Sequence, residues 1–163
     1  MQKLVIYIFI TLLAGLLLTN IYTSMVDAYN WSSGFPDSIE TARAYFKTKD
    51  PGDFFRIFSP LNQFAGFLSV ILFWHTNKRI RLFLVLALGF ALLADLFTFM
   101  YFYPRNAILF LDPITDMEIV RKASSEWITM NWVRTLVVAT GLFFAFRGLH
   151  EVYKKEYQVH LDM

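Results

Sequence analysis

No cysteine occurs in the chain, which rules out disulfides, thiolate nucleophiles, iron–sulfur clusters, Cys-type zinc sites and dithiol redox chemistry. Charge is scarce as well. Only 17% of the 163 residues are Asp, Glu, Lys or Arg, and the net +2 is scattered, leaving no footprint for a nucleic-acid partner. The three histidines, His75, His150 and His160, stand apart in sequence and read as solvated residues rather than ligands, so neither a metal nor a cofactor is expected. Linkers rich in Ser or Gly, repeats and low-complexity tracts are missing, which points to a single integral membrane domain over 1–163. What is plentiful is apolar: 56% hydrophobic and 18% aromatic residues are too many for one soluble core of this size.

Four apolar runs have spanning length, at about 4–26, 54–74, 82–103 and 127–146, and predict an all-α fold, a four-transmembrane-helix bundle. The first run follows Lys3 as a signal peptide would, but its length and the want of a small-residue cleavage site favour an uncleaved span. After it, Gly34-Phe35-Pro36 breaks the chain ahead of a short interfacial helix in the first outer loop, where Asp37 and Glu40 have capping-box spacing. Ile39, Ala42 and Phe46 share one side of that helix, so it should lie against the bundle with Glu40, Arg43 and Lys47 in water. Thr115 and Glu118 repeat the capping spacing before the fourth helix, Pro60 is expected to kink the second, and Trp31, Trp74 and Tyr103 read as interfacial anchors.

The segment His75-Thr76-Asn77-Lys78-Arg79-Ile80-Arg81 is dense in positive charge and marks its side as cytoplasmic. Four crossings then put both termini and the polar tail 147–163 in the cytoplasm, and the bilayer is expected to be a bacterial inner membrane. Lys and Arg near the span ends come to seven on each side, so the orientation rests on that one loop.

Polar residues within the spans carry more information. Asn20, Gln63, Asp95 and Arg134 all fall about 10 to 14 Å below the same boundary at the rise of an α-helix. Trp127, Asn131 and Arg134 share a helix face, as do Asp95, Phe99, Phe102 and Asn106. An arginine within a bilayer is costly, by about 2.5 to 3.5 kcal/mol, and needs a partner. Asp95, the carboxylate inside a span at the same depth, is the expected partner in a buried ion pair, with Asn131, Gln63 and Asn62 adding hydrogen bonds. Such a layer either fixes helix register or forms a pocket of Asn62, Gln63, Asp95, Asn106, Trp127, Asn131 and Arg134. Phe99, Phe102 and Trp127 either pack ordinarily or line that pocket as a flat apolar wall.

The fourth-span stretch Trp127-x-x-x-Asn131-x-x-Arg134-Thr135, the third-span ending Thr98 to Asn106 and the segment Phe55 to Phe64 with Pro60 and Asn62 resemble the anthrone-oxygenase-like family of small four-helix membrane proteins. The resemblance runs to about Phe146. It implies conversion of anthrones to anthraquinones with dioxygen and without metal or flavin. A base would take the acidic ring proton and an oxyanion site would hold the enolate. On that resemblance Asp95 is the candidate base, Arg134 and Asn131 the enolate donors, and the aromatic face the platform. The alternative is a non-enzymatic module in membrane lipid that binds a lipid or quinone-like ligand or supports a complex, and homo-oligomers are open to either.

Overall fold

In the computed structural model residues 2–161 are described, with side chains as far as Gln158, so the side chain of His160 lies outside the described residues. The described secondary structure is helical throughout. We number the helices α1 (Gln2–Ser32), α2 (Asp37–Tyr45), α3 (Pro51–Leu72), α4 (Lys78–Leu111) and α5 (Met117–Leu161). Helices α1, α3, α4 and α5 are long and apolar enough to cross a bilayer, which makes this a four-span integral membrane bundle. Around the bundle α1 neighbours α3 and α5, and α4 neighbours the same two, so the four form a closed ring.

Both termini lie at one end. There Lys3 Nζ stands 2.7 Å from Glu156 Oε2, and the hydroxyls of Tyr7 and Tyr153 are hydrogen-bonded, tying α1 to α5. The apolar core of this half collects Ile6, Phe9 and Leu13 from α1, Ala65 and Val70 from α3, Ile80, Leu84 and Ala87 from α4, and Val138 and Ala145 from α5. Small residues set how closely the helices approach. A Cβ at Gly66 would stand 2.8 Å from Phe9 Cε2, and one at Gly141 would stand 3.1 Å from Phe90 Cβ.

A second apolar cluster closes the opposite end, built from Ala28, Trp31, Ile39, Phe102, Leu109, Val120, Ala123 and Trp127. Helix α2 lies on it as the amphipathic pattern predicts, Ile39 fully buried and Ala42 and Phe46 packed beside it. Three expectations change here. Asp37 does not cap α2; Ser38 Oγ instead accepts from Gly34 N and donates to Trp31 O, because the turn at Gly34-Phe35-Pro36 brings Ser38 back over the end of α1. Asp116 rather than Thr115 caps α5, its Oδ1 accepting from Glu118 N at 2.8 Å. Trp31 is no interfacial anchor but 3% exposed, edge-to-face with Trp127, Phe46 and Phe110, because α2 folds over it; Trp74 and Tyr103 do stay exposed.

Arg43 is not in water either. Its guanidinium donates to the carbonyls of Leu109 (2.7 Å), Ile108 (2.9 Å) and Asp112 (2.9 Å), which the end of α4 leaves without helical partners. Helices α1 and α4 outrun their expected ends at 26 and 103. Both pass through a π-helical turn and continue helically, Thr23–Asp27 in α1 and Thr98–Phe102 in α4, and a further π turn, Ala107–Leu111, ends α4. Pro104 falls in the first turn after a π segment, where its missing N–H is tolerated.

Candidate functional site

Between the two apolar clusters lies a layer of buried polar side chains: Asn20, Thr23 and Ser24 from α1, Asn62 from α3, and Asn131, Arg134 and Thr135 from α5. The common depth read from helix rise is thus met by residues that touch one another. Arg134 is its hub. Nη2 donates to Asn20 Oδ1 (2.5 Å) and Asn131 Oδ1 (2.6 Å), Nη1 donates to Thr98 Oγ1 (3.1 Å), and the guanidinium carbon lies 4.2 Å from the centre of the Phe102 ring. Asn20 Nδ2 donates in turn to Thr135 Oγ1 at 2.6 Å, and Asn131 Nδ2 to Ser24 Oγ at 2.5 Å. Amide oxygens and an aromatic face supply what a carboxylate was expected to supply.

Asp95 makes its own contacts across the α3–α4 seam. Ser59 Oγ donates to Oδ1 at 2.6 Å, and Gln63 Nε2 donates to Oδ2. The expected ion pair with Arg134 is not formed. Each charge is held by neutral partners on its own side, which brings neither within bonding reach of the other. What they share is a cavity of about 30 Å³, lined by Asp95, Thr98, Arg134, Asn20, Asn62, Ser59 and Phe55 and by apolar residues of α1, α4 and α5. That volume admits a water-sized molecule. Asn62, 1% exposed, also lines the cavity, and its buried Oδ1 has no protein donor.

The remaining expected residues separate. Gln63 stands beside the cavity through Asp95. Asn131 is fully buried with both amide atoms engaged, so it holds Arg134 and Ser24 and does not line the cavity. Phe102 backs Arg134 from the capped end. Trp127 and Asn106 bond to each other, Nε1 to Oδ1 at 2.8 Å, within the capped-end cluster rather than in the cavity. Phe99 faces outward, 59% exposed: the bond from Arg134 turns Thr98 inward, which carries the next residue about 100° round the helix toward lipid. His75 and His150 are exposed.

Ser24 and Ser59 of the layer went unnamed in the sequence, and Thr98 and Thr135 stood only inside the quoted motifs, with no role given to them. Each lies three or four residues from one that was given a role, namely Asn20, Gln63, Asp95 and Asn131, and that spacing was the available signal.

Set beside known families, residues 54–144 match the family described as anthrone oxygenase, a stretch that takes in most of α3, the whole of α4 and the cavity residues of α5. No curated protein matches the chain, and no solved structure does.

Proposed function

The chain belongs to the anthrone oxygenase family, and on that premise we propose that it is an oxygenase of a flat phenolic or polycyclic substrate, acting as one membrane domain and drawing its catalytic groups from its own side chains. One observation carries this reading: a carboxylate and a guanidinium line the same small cavity without neutralising each other. A base and an oxyanion donor must stand apart by the width of the reacting atoms, and an ion pair would leave neither free for substrate.

In this scheme the Asp95 carboxylate takes a proton from the ring CH₂ opposite the substrate carbonyl. The electron pair moves onto the carbonyl oxygen, where Arg134 meets the growing negative charge. The electron-rich carbon gives an electron to dioxygen, and the two radicals combine to form the C–O bond of a peroxide, which takes the proton back from Asp95. The carbon's second hydrogen then leaves as a proton while the O–O bond breaks, and the departing hydroxide joins that proton. One CH₂ and one dioxygen become one carbonyl and one water. Asn131, named at first as a donor to the enolate, takes the part of a positioning residue that holds Arg134.

The basic segment at 75–81 and both termini are taken as cytoplasmic and the bilayer as a bacterial inner membrane, on the charge density of that loop. Oxygen consumption by the detergent-solubilised protein given an anthrone tests the function. Uptake that vanishes in Asp95→Asn, with folding unchanged, is the expected result. Equal uptake by the variant, or none by the native chain with any of a panel of hydroxylated tricyclic ketones, would return the polar layer to a ligand-binding or register-fixing role.

A further inference from the structure

The cavity as it stands, about 30 Å³, is far smaller than a fused-ring molecule, so part of its wall must give way for such a substrate to enter. The wall differs in strength from helix to helix. In α3 the five buried residues, Asn62, Ala65, Gly66, Ser69 and Val70, all follow Pro60, and the half-helix before it, which presents Phe55 and Ser59 to the cavity, buries none.

That half-helix is built as a separate piece. Its ion pairs reach no other helix, Arg56 pairing with Asp53 and with the cap residue Asp50, and Asp53 with Lys49 just ahead. Its aromatic pairs are internal, Phe54 with Phe55 and with Phe58. The connection ahead of it, Lys47 to Asp50, is exposed and gives no anchorage. Two contacts join it to the polar layer: the hydrogen bond from Ser59 to Asp95, and the Phe55 ring 5.5 Å from the Arg134 guanidinium carbon. At its base Pro60 lacks the N–H that would bond the carbonyl of Arg56, so the helix is weakest where the packed half begins. On its outer surface Ile57 is 60% exposed, continuous with Leu61 and Phe64 beyond the proline, an apolar face that suits a bilayer and not water.

We propose that the first half of α3, Pro51 to Ser59, is a lid that swings at Pro60, and that a flat apolar molecule dissolved in the bilayer enters the Asp95–Arg134 cavity through the α3–α4 seam. The Ser59–Asp95 bond is its latch. Opening breaks that bond and frees Oδ1 of Asp95 at the moment a substrate arrives, while Gln63 keeps hold of Oδ2. The inference rests on the oxygenase reading for the identity of the guest, but its test reads access and not turnover, so either can fail while the other stands.

The absence of native cysteine makes the test direct. Ala94 lines the cavity and Ala145 is buried in the terminal-half core, so Ala94→Cys and Ala145→Cys report on the cavity and on the closed bundle respectively. In lipid vesicles N-ethylmaleimide should modify Ala94→Cys much faster than Ala145→Cys. Pro60→Ala should slow that reaction several-fold and Ser59→Ala should speed it; each acts in the opposite direction, so a folding defect that simply loosens the bundle cannot mimic both. A charged methanethiosulfonate reagent should react slowly throughout. Ala94→Cys as unreactive as Ala145→Cys, indifference to both the hinge and latch substitutions, or equally fast reaction with the charged reagent would overturn the lid, its hinge or its entry from lipid.

Discussion

Asp95 and Arg134 line one cavity and do not touch: Asp95 is held by Ser59 and Gln63, Arg134 by Asn20, Asn131 and Thr98. Two opposite charges kept apart in an apolar bundle are met only by neutral partners, and a molecule that bridges them adds to that stabilisation.

Asp95→Asn keeps the shape of the side chain and a hydrogen bond from Ser59, and removes the base. Oxygen uptake with an anthrone should fall roughly 100- to 10,000-fold, the usual worth of a general base, while thermal unfolding in detergent changes little. A large loss of stability together with retained uptake would assign Asp95 to structure.

Asn20→Leu is close in volume but takes away the acceptor of Arg134 Nη2 and the donor to Thr135 Oγ1. A buried guanidinium short of one acceptor should cost about 1 to 3 kcal/mol, measured as a lowered unfolding midpoint. Because Arg134 also loses its aim, uptake should fall as well, more in kcat than in KM.

Arg43→Ala removes three hydrogen bonds from the carbonyls of Leu109, Ile108 and Asp112. Ala107–Leu111 should fray, seen as faster amide hydrogen exchange in that segment and not in α3. Arg43→Lys should fail to restore protection, since one ammonium cannot span three carbonyls as the planar fork does.

Gly66→Val would drive a side chain into Phe9, whose ring carbons already stand 2.8 Å and 3.0 Å from a Cβ at that position. Phe9 is fully buried and has nowhere to turn, so the expected cost is about 1 to 3 kcal/mol in unfolding measurements.

Hydropathy made the four spans legible, and the constant rise of a helix made the depth of Asn20, Gln63, Asp95 and Arg134 legible too. Their pairing was not. An arginine reaches any of several acceptors at its own level, and which one it meets depends on how adjacent helices are rotated, a quantity that no single helix encodes. The same holds for Phe99, sent outward by a bond its neighbour Thr98 makes to another helix. Trp31 and Arg43 were misplaced for a different reason: a loop residue's burial depends on where the loop folds back, and here α2 returns over the end of the bundle. Trp127 and Asn106 were expected in the pocket, but the bundle has two interiors, and they bond to each other at the dry one.

The π-helical turns at Thr23–Asp27 and Thr98–Phe102 sit where the polar layer meets the capped end. Inward residues there step by four, Asn20 to Ser24 to Ala28 and Ala94 to Thr98 to Phe102, and each such step in an α-helix would drift about 40° off line. The wider turn absorbs the drift, as if one residue had been spliced in. The bundle is therefore two stacked registers joined by phase corrections. Deleting a single residue from either π turn would therefore take out the splice and leave an unbroken α-helix, with Trp31 or Leu109 still turned inward.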